Sequence, residues 1–525
     1  MRKLAWLMCG ALALGCGGRP SSWDTPFVPA NSQNGLASAY GLTGSVAVLD
    51  VSLGRVTLLS SPSALALSSS SIELGTDLVS ARVSSDRKTF FALSRGVQPQ
   101  RTPHDEKPQL LLIDGSSTPR VSNAYTLTEP MNQLVLDPKN EWAVVYGSSG
   151  VVQNPNELVL VDLARTGADA LSFKTLLSFG GSPKRFTFTA PLAIPGGDPR
   201  RFLIVERDSD LVLIDLARPE RDAVTVPLPS TDTGGTASSA QVVYDADSAS
   251  IAVRVTGTTS VFMLTLAAPA SDGQDYSVVT NLVDVGGQPA ALDFVHNSQG
   301  LRLVALVGSS AVLVDPDTAT TQSVPMPAAF TGVRRITDEL NPAAMPAAEG
   351  DVALLYGPNI TKIAYFNLSS PGALFRSIEA YEIGVSVKNV IDVPGEAYFD
   401  RKILETPSQQ FYVLDLRTRE SAPMKTNGGL ALEVAPDGER VWAYSPGQPG
   451  FASVDFAKLH PVSLIAERQV SNVFDIEAVN GQRTAIALHL SAGTGIGLGA
   501  TVLDALAPST ANARFYSGLE LGGLK

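Results

Sequence analysis

Cysteine and histidine are nearly missing from this chain of 525 residues. There are two cysteines, Cys9 and Cys16, and none beyond position 16. The bulk of the chain therefore has no intramolecular disulfide, no thiolate metal site and no cysteine nucleophile. The four histidines form no HExxH pair, so zinc hydrolysis has no support. They are scattered at His104, His296, His460 and His489.

Charge is also scarce. Charged residues make up 17% of the chain, and 51 acidic residues outnumber 39 basic ones, for a net charge of −12. Because no basic stripe is present to neutralise phosphates, nucleic acid is not an expected partner. The apolar fraction of 44%, with 45 glycines and 35 prolines, indicates a globular, turn-rich and hence β-rich chain.

The N-terminus has the layout of an export signal. Arg2 and Lys3 precede an apolar run over 4–15, and a Gly/Pro/Ser-rich stretch follows Cys16. Twelve apolar residues are too few to cross a bilayer, which needs about 20. We therefore expect residues 1–15 to be a signal peptide that is removed. Residues 16–40 carry little periodic pattern and are expected to be a flexible tether to a body over 41–525.

Gly15 and Cys16 resemble the lipobox of bacterial lipoproteins, in which cleavage leaves a lipid-modified cysteine as the first residue. The usual order before the cysteine is altered, because Ala13 and Leu14 look interchanged. The resemblance implies a membrane anchor through lipid at Cys16. With Gly17 rather than Asp next, it also implies the outer membrane of a bacterial envelope. The alternative is an ordinary signal peptide cut nearby, which would leave a soluble exported protein.

A short phrase recurs along the chain. Each copy has four or five mostly apolar residues stopped by Asp, Asn or Thr, which is typical of a buried strand closed by a turn. The copies end at Asp50, Asp114, Asp162, Asp215, Thr265, Asp315, Asn367, Asp415, Asp455 and Asp504. The steps between them lie between 40 and 64 residues, so the period is near 50.

Each repeat predicts four antiparallel strands. An apolar run and a turn precede a second run, such as 141–147 or 301–308; the phrase follows, and then a fourth strand such as 224–228. Four strands per repeat predict an all-β propeller of blades of roughly 50 residues, either one large ring or two smaller propellers. The first unit, around Asp50, shows only its last two strands. We therefore expect these to complete the last blade and close the ring.

Two turns resemble those of YVTN-type bacterial β-propeller repeats. They are the stretches 435–442, with the letters APDGERVW, and 136–142, with LDPKNEW. The Gly-then-Pro linkers at 180–183 and 285–289 are similar to the steps between blades in such repeats. The resemblance spans about 40–525 and implies the fold but no activity.

The recurrent aspartates are predicted to accept hydrogen bonds from their own turns, rather than to form a carboxylate ring for a cation. The close pairs Asp245/Asp247 and Asp315/Asp317 leave calcium as an open possibility, although the EF-hand pattern is absent. No cofactor is otherwise expected. His489 is predicted to be a satisfied strand residue, and 492–500 a glycine-rich hairpin loop instead of a phosphate cradle.

Variable loops between the second and third strands are the predicted binding regions. They are 95–108, 148–156 and 400–410. Strand alternation places them at the same end as the connections between blades. The candidate contact residues are Arg101, His104, Asp105, Glu106 and Lys107.

The sequence leaves two functional hypotheses open. The first is a non-catalytic, lipid-anchored envelope propeller that binds a protein or glycan partner. The second is a lactonase-like or quinoprotein-like propeller enzyme, which needs converging acids and a metal in the central channel.

Overall fold

The computed structural model describes most of the chain from residue 38 to residue 517. The described ranges are 38–51, 53–63, 65–116, 120–148, 156–177, 181–235, 238–269, 276–297, 299–340, 350–368, 377–393, 398–424, 431–435, 437–457, 461–478, 481–489 and 499–517. The expected signal peptide, Cys16 and nearly all of the expected tether lie outside these ranges. The first strand begins at Ser38, three residues inside the stretch expected as tether.

The described residues form ten four-stranded antiparallel sheets, or blades, each built from four consecutive strands. Blades 1 to 5 contain β1 Ser38–Gly41, β2 Ser45–Asp50, β3 Arg55–Ser60, β4 Ser68–Glu73; β5 Leu78–Val83, β6 Thr89–Ser94, β7 Gln109–Asp114, β8 Val121–Thr126; β9 Gln133–Leu136, β10 Trp142–Tyr146, β11 Glu157–Asp162, β12 Leu171–Thr175; β13 Arg185–Phe188, β14 Phe202–Glu206, β15 Asp210–Asp215, β16 Val224–Pro227; β17 Ser239–Asp245, β18 Ser250–Val255, β19 Ser260–Ala267 and β20 Ser277–Asp284.

Blades 6 to 10 continue the same order. Their strands are β21 Ala291–Asn297, β22 Gly300–Val307, β23 Ser310–Val314, β24 Thr321–Pro325; β25 Gly332–Arg335, β26 Val352–Tyr356, β27 Lys362–Asn367, β28 Ser377–Glu382; β29 Asn389–Asp392, β30 Arg401–Glu405, β31 Phe411–Asp415, β32 Ser421–Pro423; β33 Ala431–Val434, β34 Arg440–Tyr444, β35 Gln448–Asp455, β36 Pro461–Val470; β37 Asn472–Glu477, β38 Arg483–His489, β39 Gly499–Asp504 and β40 Arg514–Ser517. Helix is limited in the described ranges to α1 Thr337–Leu340 and 3-10 turns at Gly167–Ala170 and Thr510–Asn512.

The turn residues act as the sequence predicts. Each of the eight phrase-ending aspartates accepts a hydrogen bond from a backbone N–H two or three residues later, at 2.7–3.1 Å, which confirms their role as turn formers. In the YVTN-like turns, Asn140 and Gly438 have φ of 57° and 71°. Asparagine and glycine tolerate this left-handed backbone with little steric cost, so both turns close tightly.

The first strand of each blade is the innermost. First strands of neighbouring blades contact one another, as β1 with β5, β17 with β21 and β21 with β25. The chain then moves outward strand by strand, and fourth strands such as β20 carry exposed side chains. Because the strands alternate in direction, one end of the ring carries the blade-to-blade connections and the second-to-third-strand loops. We call it the connection end, and the opposite end the turn end.

Ten apolar clusters hold the blades together, one at each junction between neighbouring blades. Central strands such as β14 are buried along their whole length because alternate side chains pack into the junctions on either side. The tenth cluster joins blade 10 to blade 1, so the blades form a single ring. The alternative of two smaller propellers is therefore wrong.

The ring closes without a shared strand. Blade 1 is complete in β1–β4 and blade 10 in β37–β40, so the expectation that an N-terminal half-unit completes the last blade is wrong. At this closing junction Val46 and Leu59 pack against Phe474 and Leu488. Two hydrogen bonds add polar links: the Glu477 backbone N–H donates to Thr43 O at 2.7 Å, and the Tyr516 side-chain hydroxyl donates to Leu65 O at 2.8 Å.

Two strand predictions need correction. The phrase ending at Asp50 is the second strand of its blade, not the third, and the true third strand is β3, which ends at Ser60. This misalignment produced the long first step of 64 residues. The stretch 400–410, expected as a loop, contains strand β30 and only a short turn after it.

Candidate functional site

Polar side chains link the innermost strands around the channel. The Gln241 amide exchanges two hydrogen bonds with the backbone of Leu292 on the next blade, at 2.9 and 3.0 Å. Asp293 Oδ2 accepts the Arg335 N–H at 2.8 Å, and the Arg334 guanidinium donates to Val390 O at 3.2 Å. Burial raises the pKa of Asp293 to about 6. These bonds replace the backbone ladder that is missing between neighbouring blades.

A buried carboxylate organises the junction between blades 6 and 7. Asp351 accepts the His296 backbone N–H at 2.6 Å and the Thr337 hydroxyl at 2.7 Å, and Arg335 Nε lies 2.9 Å from it. Burial opposes its ionisation, but these donors hold the pKa of Asp351 well below its usual range. The contact with Asp351 in turn raises the pKa of the His296 imidazole. We call this group the Asp351 cluster.

The predicted binding loop, 95–108, lies at the connection end as expected. Asp105 is buried and accepts the N–H groups of Arg101 and Thr102, at 2.6 and 2.9 Å. Glu106 accepts the N–H and hydroxyl of Thr76, in the connection from blade 1 to blade 2, at 3.0–3.2 Å. Two of the five candidates therefore hold the loop in shape.

The remaining three candidates, Arg101, His104 and Lys107, are exposed on the loop surface. All three belong to the loop between β6 and β7 at the connection end. Most of the predicted loop 148–156 lies outside the described ranges, as does nearly all of the glycine-rich stretch 492–500.

The acid pairs considered for calcium are engaged in local contacts. Asp245 accepts the N–H and hydroxyl of Ser248, and Asp315 pairs with the Arg302 guanidinium at 3.1 Å. Among the described residues, no three His, Cys, Asp or Glu side chains converge on a possible metal position. His489 is buried, with both ring nitrogens hydrogen-bonded at 2.9 and 2.7 Å, so its prediction as a satisfied histidine is confirmed.

A cavity of about 210 Å³ opens at the turn end, between blades 4 and 5. Three arginines and a tyrosine line it, with apolar walls from Ile194 and Ala268. We call it the arginine cavity. Its charged and hydroxyl-bearing residues are Asp198, Arg200, Arg218, Arg221 and Tyr276.

Backbone hydrogen bonds fix the loops that carry these side chains. The excursion between β13 and β14 folds on itself through paired bonds between Leu192 and Arg200, at 2.8 and 3.0 Å. It is tied to blade 5 by Ala193 N donating to Ala246 O and by Ala268 N donating to Pro195 O. Between β15 and β16, successive turn bonds reach from Asp215 to Arg218 and on to Arg221. The cavity is thus part of the folded scaffold.

Tyr276 is held in one orientation at the cavity wall. Its hydroxyl donates to Asp215 Oδ2 at 2.8 Å, and its ring packs edge-on against Phe202 with centroids 5.1 Å apart. Burial, together with this contact to Asp215, raises the pKa of Tyr276 to about 12. The phenol stays neutral at physiological pH, and its oxygen keeps acceptor capacity.

Sequence reasoning missed this cavity because its parts are far apart along the chain. Arg200 comes from one loop of blade 4, Arg218 and Arg221 from another, and Tyr276 from blade 5. The only local signal is the spacing of Arg218 and Arg221 in ARPERD, directly after the phrase that ends at Asp215.

No described helix is long and apolar enough to cross a membrane.

No protein-family model and no curated protein match this chain. Solved structures with a similar backbone include the dihydro-heme d1 dehydrogenase NirN in complex with DHE, at 12% identity and a TM-score of 0.41, covering 69% of this chain and 71% of that one. They also include Sqt1 of Saccharomyces cerevisiae, at 12% identity and a TM-score of 0.41, covering 73% and 97%. A third is titled the eukaryotic initiation factor, at 8% identity and a TM-score of 0.40, covering 91% and 96%. Likenesses this distant carry no argument about function.

Proposed function

We propose that this chain is a non-catalytic binding scaffold, anchored by lipid at Cys16 to the outer membrane of a bacterial envelope, that captures a protein or glycan partner. The observation that supports the scaffold role best is the single ten-blade ring with loops at both ends. Rigid frames that carry loops are where binding sites are commonly built. The YVTN-like turns at Asn140 and Gly438 support kinship with bacterial propeller repeats.

The anchor is supported by the Gly15-Cys16 motif. Strand β1 starts at the connection end, so the chain enters the ring from that end.

Cys16→Ala tests the anchor. Wild-type protein is expected in the membrane fraction with a lipidated N-terminal peptide, and the variant in the soluble fraction, because the acyl chains supply the membrane affinity. Cys9→Ala is the matched control and should stay with the membrane, since Cys9 follows bulky Met8 and lies in the expected signal peptide. Membrane association of Cys16→Ala, with an unmodified wild-type peptide mass, would overturn the anchor.

The binding role is tested by capture from envelope extracts on immobilised full-length Cys16→Ala protein. A partner held in a defined ratio, as glycan or protein, is the expected result. Stoichiometric calcium with turnover of a lactone, and no captured partner, would favour the enzyme hypothesis instead.

A further inference from the structure

We propose that the arginine cavity binds a small hydroxylated organic anion, such as a sugar acid or a sugar phosphate. This inference deepens the proposed binding function and rests on it for its place in the envelope. The cavity of about 210 Å³ is smaller than the roughly 300–1,000 Å³ typical of drug-sized ligands, so it fits a single compact group.

The charge of the lining selects an anion. Arg200, Arg218 and Arg221 bring three guanidinium groups to one cavity in a chain whose net charge is −12. Guanidinium groups match the planar geometry of carboxylate and phosphate and can bind them through two parallel hydrogen bonds. One carboxylate, Asp198, belongs to the lining, but its side chain is 89% exposed and lies 4.0 Å from the Arg200 guanidinium, so three cations still face one anion. The Asp215 carboxylate accepts the Tyr276 hydroxyl.

The phenol of Tyr276 selects a hydroxyl on the ligand. Its proton is directed to Asp215, so toward the cavity the oxygen acts as an acceptor. A carboxylate or a fully ionised phosphate monoester has no proton for this acceptor, whereas a sugar ring has several hydroxyls. Ile194 and Ala268 supply apolar surface for the carbon face of such a ring. Anion, hydroxyl and apolar face together describe a sugar acid or sugar phosphate.

Calorimetric titration of full-length Cys16→Ala protein tests the inference with four probes: glucuronate, glucose 6-phosphate, glucose and inorganic phosphate. At least one of the two sugar anions should bind, with affinity that falls as salt rises, and neutral glucose should not. The stronger of the two identifies carboxylate or phosphate as the preferred group. Absence of binding by both sugar anions, or equal binding of glucose, would overturn the inference.

Three variants locate the site. Arg218→Gln combined with Arg221→Gln should weaken sugar-anion binding at least tenfold, whereas Arg120→Gln, a position on blade 2 that is 77% exposed, should leave it unchanged. Tyr276→Phe keeps the ring on Phe202 and should weaken both sugar anions, because a hydroxyl of the ligand loses its acceptor. Unchanged binding by the double variant, or an equal effect of Arg120→Gln, would contradict the site.

The outcomes separate this inference from the proposed function. If the double variant loses sugar anions but still captures the envelope partner, the scaffold function stands and the cavity is not its partner site. If sugar anions bind the wild type and no partner is captured, the cavity inference stands and the scaffold proposal fails.

Discussion

Two junctions hold neighbouring blades together by different means. One is the closing junction between blades 10 and 1, and the other lies between blades 6 and 7. The closing junction is apolar and neutral, with Phe474 at its centre and a hydroxyl contact between Ser61 and Thr484 at 3.2 Å. The blade 6–7 junction has an apolar cluster too, but adds the Asp351 cluster with its buried carboxylate. The chain also runs directly from blade 6 to blade 7, whereas only side chains and a few hydrogen bonds cross the closing junction.

The difference separates two sources of stability. Apolar packing is enough to close a ring, because Val46, Leu59 and Leu488 are fully buried around Phe474. Buried charge is not needed for closure, but where it occurs it makes a junction dependent on pH and on each partner of the carboxylate.

The largest expected effect comes from removing one buried aromatic side chain at each junction. Phe474→Ala and Phe366→Ala each leave a cavity in a buried cluster, so each should lower the free energy of unfolding by about 3–5 kcal/mol in urea titration. Hydrogen exchange should distinguish them. In Phe474→Ala the amides of β1 and β37–β40 should exchange first, because no peptide link holds the closing junction. Identical exchange patterns in the two variants would contradict this view of closure.

A smaller effect is expected from two threonines. Thr337→Val removes a hydrogen bond to the ionised Asp351 and the acceptor of the Val352 N–H, and should cost about 1.5–3 kcal/mol. Thr484→Val removes only a contact between neutral hydroxyls and should cost about 0.5–1.5 kcal/mol. Urea unfolding of both variants measures the difference between these two losses of unfolding free energy. A larger loss for Thr484→Val would reverse the comparison of neutral and charged junctions.

The smallest effect is in the pH dependence. The contact with Asp351 raises the pKa of His296 in the fold. The stability that this contact contributes is therefore fully present below about pH 6.5 and is lost as the pH rises through the folded pKa. The difference in unfolding free energy between wild type and His296→Gln should therefore be larger at about pH 5.5 than at about pH 8.5, by up to about 1 kcal/mol. The difference for Phe474→Ala should not change with pH. A constant His296 difference would mean that the pair adds no pH-dependent stability.

Much of the fold could be predicted because each repeat carries its own signal. Seven of the eight aspartates close the turn after the third strand, as the sequence pattern predicts, and Asp50 closes a turn after a second strand. The sequence pattern did not identify the four strands of blade 1, because β4, with the letters SSSSIE, has almost no apolar pattern. The phrase at Asp50 also resembles a third strand although it is a second one.

The candidate sites could be predicted less well, for a physical reason. The loop 95–108 is prominent by composition, but composition does not reveal that Asp105 and Glu106 bind backbone and hydroxyl groups of their own surroundings. The arginine cavity depends on the distance between Arg200 and Tyr276 in space, which is set by the packing of two blades. No local pattern encodes that distance.

The absence of a shared strand at the closing junction also bears on how such a molecule can change over generations. Every sheet is one uninterrupted piece of the gene, so duplication or deletion of such a piece adds or removes an intact sheet and leaves no orphan strand. The circle can then grow or shrink by whole units, and its starting point is a matter of genetic history.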